Sequence, residues 1–181
     1  MRTLGPLVLA ACVAQAGAVF GPEAQAEYTL KAQILLGLLP YVQWPAAAPA
    51  PHDTFVLGVL GRSPFGSFLD TYARARTIQR RPIEIRYGNR PEDLEGCEAV
   101  FICPSETRKL GPVLAWAKAR RILTLADSRQ AAEQGVMVIL LLEGEYVRLL
   151  VNLDLAQAQG FAFGSLLLRN AQILGSASKG H

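Results

Sequence analysis

Ser63, Ser105, Asp127 and Ser128 are the residues of this chain best placed to do chemistry. Each follows a short apolar run that reads as a β-strand, and each precedes a helical pattern. In open α/β sheets, ligands settle beyond the carboxyl ends of the strands. Backbone N–H groups that open helices there can hold an anion. The four residues are therefore the ligand-binding candidates. The same residue types also serve as helix N-caps, and capping alone accounts for Ser63, Ser105 and Asp127 or Ser128.

Other chemistries lack their parts. The chain has two histidines, His52 in a Pro-rich stretch and His181 at the last position. A serine or cysteine nucleophile therefore has almost no candidate base. A zinc site built from Cys97, Cys103 and a histidine would need ligands at opposite ends of one strand, so no metal site is expected. There is no GxxxxGK[ST] and no HExxH. Gly61-Arg62-Ser63-Pro64-Phe65-Gly66 follows a strand, but the three-glycine nucleotide fingerprint is absent. Tyr87-Gly88-Asn89 stands where a ribose-binding acid would close the next strand. The expectation is a protein that is not an enzyme and carries no cofactor.

The elements that must position these residues follow from length and pattern. The chain has 181 residues, 51% hydrophobic and 18% charged, with a formal charge of +3. That suffices for one buried core. Arg80-Arg81 and Arg120-Arg121 are isolated basic pairs, so no nucleic-acid partner is expected.

Residues 1–26 read as a signal peptide. Arg2 supplies the positive end, Leu4 to Ala18 the apolar segment, and Ala24-Gln25-Ala26 the cleavage signal. Gly5, Pro6, Gly17, Gly21 and Pro22 would damage a buried helix there. Leu9-Ala10-Ala11-Cys12 resembles a lipobox and would instead anchor a lipid at Cys12. The periplasm is the expected location. Cys97 and Cys103 remain after cleavage. The strand between them spans about 20 Å, too far for a mutual disulfide.

The domain is expected over residues 27–174, with a tail at 175–181. Leu30, Ile34, Leu35, Leu38, Tyr41 and Val42 recur at helical spacing, so a helix is predicted over 27–43, ended by Trp44-Pro45. Lys31 is expected to lay its stem on that helix and keep its head in water. Strands are predicted at 55–60, 83–87, 97–103 and 122–125. A helix capped by Ser63 covers 65–75. Another, capped by Ser105 and kinked at Gly111-Pro112, reaches Arg120. A short helix covers 128–134. Val136–Leu142 and Tyr146–Val151 flank Glu143-Gly144-Glu145 as a β-hairpin. A last helix is predicted over 154–174, weakened at Gly160 and Gly164. The fold class is α/β: a single three-layer domain, a mostly parallel sheet of about six strands with an antiparallel C-terminal hairpin, flanked by helices.

Tyr41, Trp44 and Pro45 cluster at the end of the first helix and are the partner-binding candidates. Tyr and Trp are common interface anchors, though aromatic residues at helix ends also serve as core packing.

Several segments together resemble the YfiR-type periplasmic regulators. They are Lys31-Ala32, Tyr41-Val42-Gln43-Trp44-Pro45, Val59-Leu60-Gly61 and Pro64-Phe65-Gly66. Leu94-Glu95-Gly96-Cys97, Val100-Phe101-Ile102 and Leu123-Thr124-Leu125-Ala126-Asp127-Ser128 continue the match. Gly135-Val136-Met137-Val138-Ile139, Asn152-Leu153 and Ser165-Leu166-Leu167-Leu168-Arg169 complete it. The resemblance implies a periplasmic repressor that restrains an inner-membrane diguanylate cyclase, limits cyclic di-GMP and biofilm, and forms a homodimer. It also implies a first-strand cysteine able to pair with Cys97; here that strand reads Phe55-Val56-Leu57-Gly58-Val59. The alternative reading is a periplasmic small-ligand-binding protein with its pocket at the carboxyl edge of the sheet.

Overall fold

The computed structural model describes residues 21–46 and 53–174. The expected cleavage segment falls only partly within them, and the lipobox and tail fall outside.

The first helix, α1, runs Pro22–Leu38 and continues as a 3₁₀ turn over Leu39–Tyr41. The helical spacing was legible, but the end is Pro40, not Pro45. Pro40 has no N–H to return to Leu36, so α-helical bonding stops there. Val42–Gln43 then form a short strand, β1, where helix was expected.

The main sheet begins with β2 (Phe55–Leu60), buried at every position. A strand covered on both faces reads as a continuous apolar run. There follow α2 (Phe68–Arg74), β3 (Thr77–Ile78), β4 (Arg81–Gly88), a 3₁₀ turn (Pro91–Leu94) and β5 (Ala99–Ile102). A second 3₁₀ turn (Pro104–Lys109) leads into α3 (Leu110–Arg120). Pro112 therefore sits in the first turn of α3, where a missing N–H is tolerated, and produces no kink. Next come β6 (Leu123–Ala126), α4 (Arg129–Glu133), β7 (Val138–Glu143) and β8 (Tyr146–Asn152).

The expected last helix is four elements instead: α5 (Leu153–Ala158), β9 (Ala162–Phe163), α6 (Ser165–Arg169) and β10 (Ala171–Leu174). Gly160 takes φ +87°, which L side chains rarely adopt, and so ends α5. Gly164 is extended and opens α6 as its N-cap. β9 pairs antiparallel with β1 through Val42↔Phe163. β10 adds to the main sheet, parallel to β8.

The eight-stranded order is β10-β8-β7-β6-β5-β2-β4-β3. β4, β2, β5, β6 and β7 are mutually parallel, and β7–β8 is the antiparallel hairpin. This is the mostly parallel α/β architecture read from the sequence, with more strands.

Strand alternation separates two cores. Leu57, Val59, Phe101 and Leu125 face one side with Leu35, Leu69, Ala156 and Leu167 from α1, α2, α5 and α6. Val56, Leu60, Val100 and Ile102 face the other with Val113 and Ala117 of α3 and Ala131 of α4. Each fully buried Leu, Val or Phe contributes about 1.5–3 kcal/mol. Cys97 and Cys103 are free, buried thiols in opposite cores. Their separation by β5 agrees with the expectation that they do not bond.

Candidate functional site

The first turns of α1 reach the carboxyl end of β6 and bring charge to it. Glu27, Tyr28 and Lys31 share one helix face at i, i+1 and i+4. The Lys31 ammonium is 3.1 Å from Asp127 Oδ2, just past β6, and it also pairs with Glu27. The side chains of Lys31 and Asp127 are only 2% and 4% exposed. The Tyr28 hydroxyl donates to the same Asp127 oxygen at 2.7 Å. Lys31 also stands 4.7 Å from the centre of the Tyr28 ring. Burial, then the Asp127 carboxylate, hold the Tyr28 phenol well above its ordinary range.

Lys31 is thus not snorkelling. A solvated head would leave Asp127 buried without a cation, and that arrangement is strongly unfavourable. Tyr28 was not legible as a partner of Asp127, because the contact spans 99 positions of sequence. The i, i+3 spacing of Tyr28 and Lys31 was the available signal.

Ser105 is not a cap. Its Oγ accepts from the backbone N–H of Arg62 at 3.0 Å and donates to Glu106 Oε1 at 3.1 Å, tying two strand-end loops together. Ser63 does not cap α2, which starts at Phe68. Its Oγ accepts from the Phe65 N–H at 3.4 Å within its own turn. Ser128 is a true N-cap of α4, accepting from Ala131 N at 3.2 Å. Asp127 spends its carboxylate on α1.

Around these loops lies an open cavity of about 400 Å³ lined by Tyr28, Arg62, Pro64, Pro104 and Ser105. Ser105 lines it, and Asp127 touches it only through Tyr28. Ser63 and Ser128 are not among its lining residues. Arg62 is exposed and forms no ion pair with a described carboxylate. Cys103 lies close by, and burial pushes its thiol up to about 12, with Asp127 and Glu106 adding to the shift.

The aromatic trio divides. Trp44 packs between Phe55 and Phe161, with ring centres at 5.3 and 5.7 Å. Its indole Nε1 is buried without a hydrogen-bond partner. Pro45 abuts Gly160. Tyr41 is 43% exposed, and its carbonyl accepts from Gly164 N at 2.8 Å. Leu166, 45% exposed, follows two residues later.

Among the described residues no group of three His, Cys, Asp or Glu could hold a metal ion. No described helix is long and apolar enough to cross a membrane.

Among solved structures, the chain is similar to a conserved domain protein from Vibrio cholerae O1 biovar El Tor, at 10% identity and TM-score 0.58. It is also similar to an ABC domain from Streptococcus pneumoniae in complex with L-Trp, at 10% identity and TM-score 0.55. In both cases 82% of this chain is covered, and it spans 60% of the other chain. These likenesses show the fold alone. No curated protein matches the chain. The YfiR/HmsC-like family matches residues 28–172, from Tyr28 through β10, and the chain belongs to this family of periplasmic regulators of cyclic di-GMP signalling.

Proposed function

We propose that this protein is a periplasmic repressor that binds a membrane signalling protein, a diguanylate cyclase, and holds it in its inactive state. Family membership over residues 28–172 is the observation that carries this reading. A repressor of this kind acts by binding the inactive state more tightly than the active one. The polar groups beneath the carboxyl edge support it. Asp127, Lys31 and Tyr28 are consumed in mutual contacts that hold α1 to the sheet. The docking surface includes Tyr41, the exposed member of the aromatic trio. Trp44 and Pro45 act beneath it as supports.

Export by cleavage after Ala26 belongs to the same reading. It would shorten α1 at its start and keep Glu27, Tyr28 and Lys31. Intact mass of the periplasmic protein checks it: a chain beginning at Glu27 agrees, and a lipid on Cys12 does not. Deleting the gene should raise cyclic di-GMP. Mature protein used as bait should retain an inner-membrane protein with a cytoplasmic cyclase domain. Unchanged cyclic di-GMP across several growth conditions would sink the proposal.

A second reading is a small-ligand site in the cavity of Tyr28, Arg62 and Ser105. The open cavity beside an unpaired arginine favours it. The similar Streptococcus domain was solved with L-Trp. Amide shifts at Arg62 and Ser105 on titration with amino acids and carboxylates would support it, and their absence would remove it.

A further inference from the structure

The opposite end of the sheet, where β6 and β7 begin, holds two cavities that share the Gln159 side chain. One, of about 200 Å³, lies between α3 and α5 and reaches Lys118, Thr124, Gln134 and Met137. The other, of about 430 Å³, is walled by Pro45, Arg121, Gln157 and Gly160.

Three features of this groove point to one chemistry. First, its cations are unopposed. Lys118 and Arg121 are exposed, no described carboxylate pairs with either, and no acidic residue lines either cavity. Arg120, the neighbouring residue of α3, differs: it pairs with Glu95 at 2.8 Å. Second, the Gln159 Oε1 is buried and has no hydrogen-bond donor. A buried acceptor without a partner is unfavourable and is satisfied when a ligand N–H reaches it. Third, Arg121 ends α3 in the left-handed region, φ 54°, ψ 48°. Glycine or asparagine is the usual residue there. A long cationic side chain kept in that conformation is a local strain of the kind that gathers at binding sites.

We propose that this groove docks an acidic, extended segment of the repressed partner protein. Lys118 and Arg121 take its carboxylates, and Gln159 accepts one of its backbone N–H groups. Gln134 and Gln157 flank the segment, and Leu114 and Leu155 carry its aliphatic stems. Charge complementarity selects this occupant, because cations on a rim fix register and speed encounter with an acidic partner. Pro45 forms one wall, so the groove lies beside the aromatic trio already assigned to the partner. The proposal rests on the repressor reading for the partner's identity, but not for its chemistry.

The test uses the mature protein and a fluorescein-labelled Gly-Glu-Leu-Glu-Gly peptide, read by anisotropy and by amide shifts at low salt. A Gly-Lys-Leu-Lys-Gly peptide is the control. Expected results are shifts at Lys118, Arg121 and Gln159, and affinity about tenfold or more weaker in Lys118→Glu/Arg121→Glu. Lys109→Glu, an exposed charge outside the groove, should bind as the parent does. If the double variant melts early, Lys118→Gln/Arg121→Gln replaces it. Shifts absent from the groove, or equal weakening by Lys109→Glu, overturn the proposal. In cells, deletion raising cyclic di-GMP while the double variant still represses fully would also overturn it and leave the repressor reading standing. Deletion without effect would remove the repressor reading, while the peptide shifts would still decide the groove.

Discussion

Gly58 on β2 faces the Cys97 side chain: a Cβ built on Gly58 would lie 3.3 Å from Cys97 Sγ and 3.5 Å from Cys97 Cβ. The Cβ–Cβ separation is that of a disulfide at its short limit. The chain thus carries one half of a bridge and a glycine at the other. Gly58→Cys should oxidise onto Cys97, with Leu94, whose Cδ1 would be 3.2 Å from the new Cβ, shifting slightly. The bond should add about 2–4 kcal/mol to unfolding. Intact mass and thiol titration before and after reduction check it. Two free thiols in the oxidised variant, besides Cys103, would refute the geometry.

The two native thiols should be inert at neutral pH. Burial is the leading cause that lifts both, Cys97 and Cys103, to about 12. The thiolate is the reactive form, so native protein at pH 8 should not react with Ellman's reagent, and denatured protein should react at both.

The same shifts set an alkaline limit. Folded values lie above the unfolded value of 9.0 for both thiols, and above 10.0 for Tyr28. The unfolded chain therefore loses protons first as pH rises. Stability from these groups is complete below about pH 9 and is lost above it, toward pH 12. A melting temperature measured from pH 7 to 11 should be level at first and then fall. Cys97→Ala should reduce the steepness of that fall.

Lys31→Met should destabilise the fold by about 3–5 kcal/mol, because Asp127 is left buried without its cation. Lys31→Met/Asp127→Leu should recover a good part of that loss, since neither charge then remains. Urea unfolding of both variants checks the pair. A double variant no better than the single one would show that the ion pair is not the source.

Tyr41 and Trp44 should separate in function. Trp44→Ala empties a site between Phe55 and Phe161 and should cost about 3–5 kcal/mol. Tyr41→Ala, with its ring half-exposed, should change stability by less than about 1 kcal/mol while weakening membrane-partner capture. Thermal melts and pull-downs on the same two proteins distinguish support from contact.

Much of this molecule was written locally. Apolar runs such as Phe55–Leu60 and Ala99–Ile102 specify strands covered on both faces. Glu143-Gly144-Glu145 specifies the hairpin. The serine before Arg129 specifies the α4 cap. Segment order then gives a mostly parallel sheet, because short alternating elements have few other ways to cover both faces. The 154–174 segment was not legible in this way. Gly160 and Gly164 divide it, and Ala171–Leu174 becomes a strand only because β8 offers an open edge.

The sites depended still more on tertiary structure. Serine and aspartate at strand ends were visible as types, but sequence alone could not tell a cap from a tie between loops. Ser128 caps, Ser105 binds the Arg62 backbone, and Asp127 holds α1. The sequence by itself determined the layers and the separation of Cys97 from Cys103, because those follow from local period and burial, whereas the division into two cores emerged only from the folded sheet. Only the tertiary structure decided that Lys31 is buried on Asp127, that Trp44 packs against the core while Tyr41 is exposed, and that Lys118 and Arg121 stand beside Gln159 with no described carboxylate paired to them. Each of those depends on which distant residue arrives opposite, and a periodic pattern carries no record of that.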